Sequence, residues 1–171
     1  MNRMMKVLAI AALVVTIAGA GAVLYGVNTL APVVEHVSVV RTPAGQEADA
    51  FQAVMEQAAL GTFSGRVFAG TDGVTKENAA FVTVSVRLRN RGFFPAEWIS
   101  LSVSPREDAA TGAHDVLQLD NYGANVLAPG SRGDIAATVL TTLDPGQDGS
   151  LTLEACCYVL GEKHTFRIAA Q

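Results

Sequence analysis

Within the segment 81–92, FVTVSVRLRNRG, apolar and polar residues alternate from Val82 to Arg89. Val82, Val84, Val86 and Leu88 share one face, and Thr83, Ser85, Arg87 and Arg89 share the other. A period of two describes a strand with one buried and one wet face, and it excludes an amphipathic helix, whose apolar positions recur every three or four residues. The pattern returns in EWISLSVSP, with Ile99, Leu101 and Val103 inward, and in GDIAATVLTT, SLTLEACCYVLG and KHTFRIAA, the last carrying Phe166 and Ile168. Upstream, VVEHVSVV (33–40) is β-rich and is broken by Thr42-Pro43-Ala44-Gly45; Thr62 to Phe68 and DVLQL are weaker strands. Turn chemistry separates the runs at Asn90-Arg91-Gly92, Ala128-Pro129-Gly130-Ser131, Asp144-Pro145-Gly146 and Gly161-Glu162. Seven or eight short strands punctuated this way predict a mainly β protein, an antiparallel sandwich.

One stretch breaks the pattern. QEADAFQAVMEQAALG places Ala50, Phe51, Val54, Met55 and Ala58 at helical spacing, with Glu47 and Asp49 in the first turn and Gly61 just past the end. This predicts one amphipathic helix over about 46–60, inserted after the first strand, with Met55 as core filling rather than a metal or cofactor ligand.

Before the strands, Val7 to Val27 carries no charge at all. As a helix these residues rise about 31 Å, which matches a bilayer core of roughly 30 Å. Arg3 and Lys6 precede the run and the first acidic residue is Glu35, so the charge bias puts the N-terminus in the cytoplasm and the rest outside. The alternative takes Val7 to Ile17 as the core of a signal peptide cut at Ala18-Gly19-Ala20 or Ala20-Gly21-Ala22. Length and flanking charge favour a retained signal anchor, giving a cytoplasmic stub (1–6), a transmembrane helix (7–27), a linker (28–32) and an extracytoplasmic domain (33–171). No cysteine stands near the end of the run to carry a lipid.

Half of the 171 residues are hydrophobic, and the mean hydropathy of +0.31 owes much to the N-terminal run. Setting Arg3 and Lys6 aside, ten Lys and Arg face sixteen Asp and Glu, a formal −6 on the outer domain. That sign argues against nucleic acid and anionic lipid as general partners.

The runs VTVSVRLRNRG, AEWISLSV, VLAPGSRGDIAATV and LTLEACCYVLG, within Ala80 to Ala169, resemble bacterial immunoglobulin-like modules of the cell-adhesion-related and fibronectin-like kind. In those modules an N-x-G turn follows one strand and an L-x-P-G turn precedes another. The resemblance implies a sandwich that displays surfaces rather than catalyses; the inserted helix and the single copy depart from the family's tandem arrays.

Few residues invite chemistry. Cys156 and Cys157 are adjacent in a strand and should point to opposite faces, with Cys157 continuing the row of Leu151, Leu153 and Ala155. They read either as small apolar residues or as a redox pair: a strained vicinal disulfide, or an exposed Cys156 that pairs with another chain. His36, His114 and His164 form no short-spaced pair, and all four Met residues lie at or before Met55, so no zinc or copper site can be read. Asp120, Asp144 and Asp148 lack calcium-loop spacing and read as turn acids. No hydrolase, phosphate-loop, dinucleotide or zinc-helix motif is present.

Arg87, Arg89 and Arg91 should share one outer face, either receiving an acidic partner or pairing with cross-strand carboxylates such as Glu97 or Glu154. Phe93, Phe94 and Trp98 crowd one turn and the strand after it, either as a cap on the sandwich or as an exposed contact site. The expectation is a membrane-anchored, extracytoplasmic module that binds a protein or cell-envelope component, with no cofactor and no catalysis. The alternatives are a secreted sandwich binding a small ligand or carbohydrate, and an envelope enzyme with an unrecognised site.

Overall fold

The computed structural model describes residues 3–28, 31–62, 65–67, 71–105, 116–142 and 151–168. Its elements run α1 (Arg3–Asn28), β1 (Val33–Pro43), a 3-10 turn (Ala44–Glu47), α2 (Ala48–Ala59), β2 (Arg66–Val67), β3 (Ala80–Arg89), β4 (Ala96–Pro105), β5 (Val116–Gly123), β6 (Val126–Leu127), β7 (Arg132–Thr141), β8 (Leu151–Val159) and β9 (Glu162–Ile168). The mainly β expectation holds: the nine described strands form two sheets, β1-β3-β7-β5-β2 and β6-β4-β8-β9, and every pairing is antiparallel.

The inward rows of the alternating strands meet between the sheets. Val82, Val84, Val86 and Leu88 of β3 face Leu101 and Val103 of β4 and Leu153, Ala155 and Cys157 of β8, all buried in one cluster. Taking such side chains from water contributes about 1.5–3 kcal/mol each for the larger ones.

A second cluster lies where the strands are apolar on both faces. Phe81, Leu117 and Leu140 pack with Phe51, Ala44 and Val74, and Val54 and Met55 lie against them half-buried. The predicted helix is therefore present, begins one turn of 3-10 helix after β1, and covers the outer face of the five-stranded sheet at one end. It stops where Gly61 turns to φ +67°, a left-handed conformation glycine adopts without steric cost.

One edge is closed by side chains rather than by a strand. Beyond Glu97, the free edge of β4 receives β5: Gln118 Nε2 donates to the Leu101 carbonyl (3.0 Å), the Val103 N–H donates to Gln118 Oε1 (3.1 Å), and the Leu101 N–H donates to Asn121 Oδ1 (3.0 Å). Gln118 is buried and makes these bonds across the seam between the sheets. Where β5 ends, Gly123 sits at φ +124°, and a Cβ there would collide with the Asp134 carbonyl oxygen.

α1 covers the predicted 7–27 segment as continuous helix. Its described side chains run from Ile10 to Val23, and all are exposed. Among the described residues, no helix is long and apolar enough to cross a membrane. His114, the turn at 144–146 and the side chains of Asp120, Asp144 and Asp148 lie outside the described residues.

Candidate functional site

Asn90, immediately after β3, organises one end of the sandwich. It is fully buried, and each of its polar groups has a partner. Its N–H donates to the Ser131 carbonyl (3.0 Å), and its own carbonyl accepts from Gly130 N–H (2.9 Å). Its Oδ1 accepts from Gly92 N–H (2.9 Å), and its Nδ2 donates to the Phe94 (2.7 Å) and Leu127 (2.9 Å) carbonyls. One residue thus ties the β3–β4 loop to β6 through its side chain and to the Ala128–Ser131 turn through its backbone, a fully satisfied buried network that fixes the loop.

This loop carries the aromatic residues. Phe93 is 54%, Phe94 38% and Trp98 75% exposed, so the three do not form a cap over the core. The reason lies in β4. Its register against β8 shifts between Glu97 and Ser100, a bulge, and Trp98 there takes φ +51°. The bulge throws the indole outward while Ala96 and Ile99, on either side, remain buried. A left-handed bulky residue costs about 1–2 kcal/mol. Leu160, in the two-residue turn between β8 and β9, repeats the device at φ +54° and is 68% exposed. These are the only non-glycine residues with positive φ among those described, and register places them at the same end: Glu97 pairs with Tyr158, and Val159 with Glu162. Glu97, Trp98, Tyr158 and Gly161 line an open groove of about 510 Å³.

The arginines flank this end on the other sheet. Arg87 lies directly opposite Asp134 and donates through Nε (2.8 Å) and Nη2 (3.1 Å) to its two carboxylate oxygens. Arg132 donates to Glu35 (2.6 Å), and Arg89 Nη1 stands 3.7 Å from the same carboxylate. Glu97 and Glu154 are not the partners, because β4 and β8 belong to the opposite sheet. The Arg132 hydrogen bond holds Glu35 below the usual carboxylate range, outweighing the opposing effect of desolvation, with smaller help from the charges of Arg132, Arg89 and Arg91. The Arg87 hydrogen bond does the same for Asp134. Arg91 is exposed beyond the strand; with Arg89, Asn90 and Gly130 it lines a polar recess of about 310 Å³. Arg89 Nε is buried in its atom environment and has no hydrogen-bond partner.

Cys156 and Cys157 point to opposite faces of β8, and both are free thiols. Burial, with a smaller contribution from neighbouring Cys156, pushes the Cys157 thiol up to about 11. Cys156 is half-buried on the outer face, with its Sγ 2.9 Å from Ser100 Oγ. Among the described residues no three His, Cys, Asp or Glu side chains group as a metal site.

The structure therefore brings Phe93, Phe94 and Trp98 together with Arg89 and Arg91 at one end, and leaves Cys156 and Cys157 apart from them on β8. Leu160 and Asn90 were missed as members of this end. Comparison with known proteins adds no likeness: no family model matches the chain, and no curated protein matches it.

Proposed function

We propose that this chain is a membrane-anchored docking module, N-terminus in the cytoplasm and sandwich outside, which binds through the end built around Asn90 and performs no catalysis. The observation that carries the reading is the pairing of exposed Phe94, Trp98 and Leu160 with a rigid, fully hydrogen-bonded base, since rigid aromatic anchors are what a contact surface needs. The strand orders β1-β3-β7-β5-β2 and β6-β4-β8-β9 support an immunoglobulin-like assignment, corresponding to an A-B-E-D sheet facing C-F-G with one short edge strand added to each, β2 and β6. The anchor is supported by the uncharged run Val7 to Val27 and by Thr16, whose hydroxyl donates to the Ala12 carbonyl (2.9 Å) within the helix and so needs no water.

A second reading rests on the groove of Glu97, Trp98 and Tyr158: in a cleaved, secreted chain an aromatic platform beside a carboxylate suits a small ligand or carbohydrate. Intact mass and N-terminal sequence of the mature protein from membrane and soluble fractions separate the two. An uncut chain in the membrane fraction supports the docking module; a soluble chain starting near Gly21 or Val23 overturns it. In the uncut chain, Phe94→Ser should weaken partner capture with the fold intact, and global unfolding would instead assign Phe94 to the core.

A further inference from the structure

The end that carries the aromatic residues is also the end at which the chain enters the sandwich. β1 pairs with β3 so that Val33 lies opposite Arg89 and Pro43 opposite Ala80. The first residue of β1 therefore stands beside the last residue of β3, next to Asn90 and the Phe93-Phe94 loop. The opposite end of the five-stranded sheet is overlaid by α2.

The tether is short. α1 ends at Asn28 and β1 begins at Val33, so at most about 18 Å of extended chain separates them. With α1 in a bilayer, the aromatic end cannot leave the vicinity of the membrane surface.

Its chemistry suits that position. Phe94, Trp98 and Leu160 present apolar surface outward, with exposed Phe93 beside them, and aromatic side chains favour the headgroup layer, where one edge is wet and the other apolar. Behind them Arg89 and Arg91 open the polar recess at Gly130, where guanidinium groups suit a phosphate oxygen. The outer domain as a whole carries −6, whereas at this end Arg87, Arg89, Arg91 and Arg132 offset Glu35, Asp134, Glu97 and Glu162. The two strained residues, Trp98 and Leu160, both spend their strain pointing large apolar groups out of this same end.

We propose that the partner of the aromatic end is the outer leaflet of the protein's own membrane, with Trp98, Phe94 and Leu160 at headgroup depth and Arg89 and Arg91 on lipid phosphate. The proposal rests on the anchored reading above and names the occupant of that contact surface. It holds the sandwich upright, with β1 running away from the bilayer.

Trp98 is the single tryptophan of the chain, so its emission reports this one position. The full chain is reconstituted into phosphatidylcholine vesicles, with and without lipids brominated near the top of the acyl chain, and flotation with the vesicles is measured alongside fluorescence. The expected result is blue-shifted Trp98 emission that loses most of its intensity to the brominated lipid, with the quenching reduced in Arg89→Gln/Arg91→Gln. Water-like, unquenched emission from a chain that floats with the vesicles overturns the proposal and leaves the anchor standing. A blue shift without quenching that grows with protein-to-lipid ratio also overturns it, assigning the surface to a second copy. A chain that does not float overturns the anchored reading, and the proposal with it.

Discussion

Replacing Asn90 with alanine removes three side-chain hydrogen bonds at once, those to the Phe94 and Leu127 carbonyls and that from Gly92 N–H. Each such bond contributes about 1 kcal/mol net, so the bonds alone come to about 3 kcal/mol. Asn90 is 0% exposed, so water does not readily replace the lost partners, and the stranded Leu127 carbonyl adds a further 1 kcal/mol or so. A loss of about 3–4 kcal/mol in a domain of this size lowers Tm by about 10 °C or more. Asn90→Asp separates the contributions. It keeps an acceptor for Gly92 but turns an oxygen toward two carbonyls, so at neutral pH it should melt lower than Asn90→Ala and recover part of the difference when acidified. The assay is thermal unfolding of the full chain followed by Trp98 emission and the β-sheet circular dichroism signal. If Asn90→Ala melts within about 2 °C of the parent, less than one hydrogen bond's worth, the reasoning that Asn90 fixes this end is wrong.

Gln118→Leu should cost about 2 kcal/mol or more despite its similar volume, because it strands the Leu101 carbonyl and Val103 N–H on the open edge of β4; urea unfolding checks this. A maleimide probe should modify Cys156 in the native protein and reach Cys157 only on unfolding, since Cys157 is fully buried and its thiol is pushed up to about 11; equal native rates would refute the assignment. Glu35 and Asp134 have folded values below their unfolded ones, so their stabilisation is fully present above roughly pH 5 and disappears as pH falls through the unfolded and then the depressed values. Glu35→Gln/Asp134→Asn should therefore flatten part of the acid loss of Tm, and only a small part, because the pairs are exposed.

Alternation made β3, β4, β7 and β8 legible because a strand buried on one face must repeat every two residues, and this sequence does so with few exceptions. The exceptions carried information of their own. Ala96 and Ile99 are both buried but three apart, an odd spacing that a regular strand cannot bury on one face and that the bulge at Trp98 accommodates. Adjacent apolar residues such as Phe81 with Val82 and Val139 with Leu140 signalled burial on both faces, which is where α2 packs. The arginine partners were not legible. Glu35 and Asp134 are chosen by which strands flank β3, and strand neighbours are set by the assembled sheet rather than by any local pattern. Nor could the turn signal of Asn90 reveal its role, because its partners Leu127 and Ser131 are brought in by a different connection. The exposure of Phe93, Phe94 and Trp98 depended on the bulge and on that knot together, so composition alone left both cap and contact surface open.

The two features of the tethered end serve one mechanical purpose if α1 is held in a bilayer. Any pull on the domain then enters at Val33, the first residue of β1, along the strand axis. β1 is paired with β3 through ten register positions, so such a pull loads the ladder in shear, across many hydrogen bonds at once, rather than peeling them singly. The ion pairs of Glu35 with Arg132 and Arg89 reach across two strands beside the loading point, but exposed pairs contribute little, and the backbone ladder bears the load. The strained, exposed residues sit outside that ladder, on the β3–β4 loop, the β4 bulge and the β8–β9 turn. A contact made there shortens the lever between bilayer and sandwich, and what resists its displacement is the buried Asn90 network, which joins that loop to the last residue of the strand that β1 is paired with.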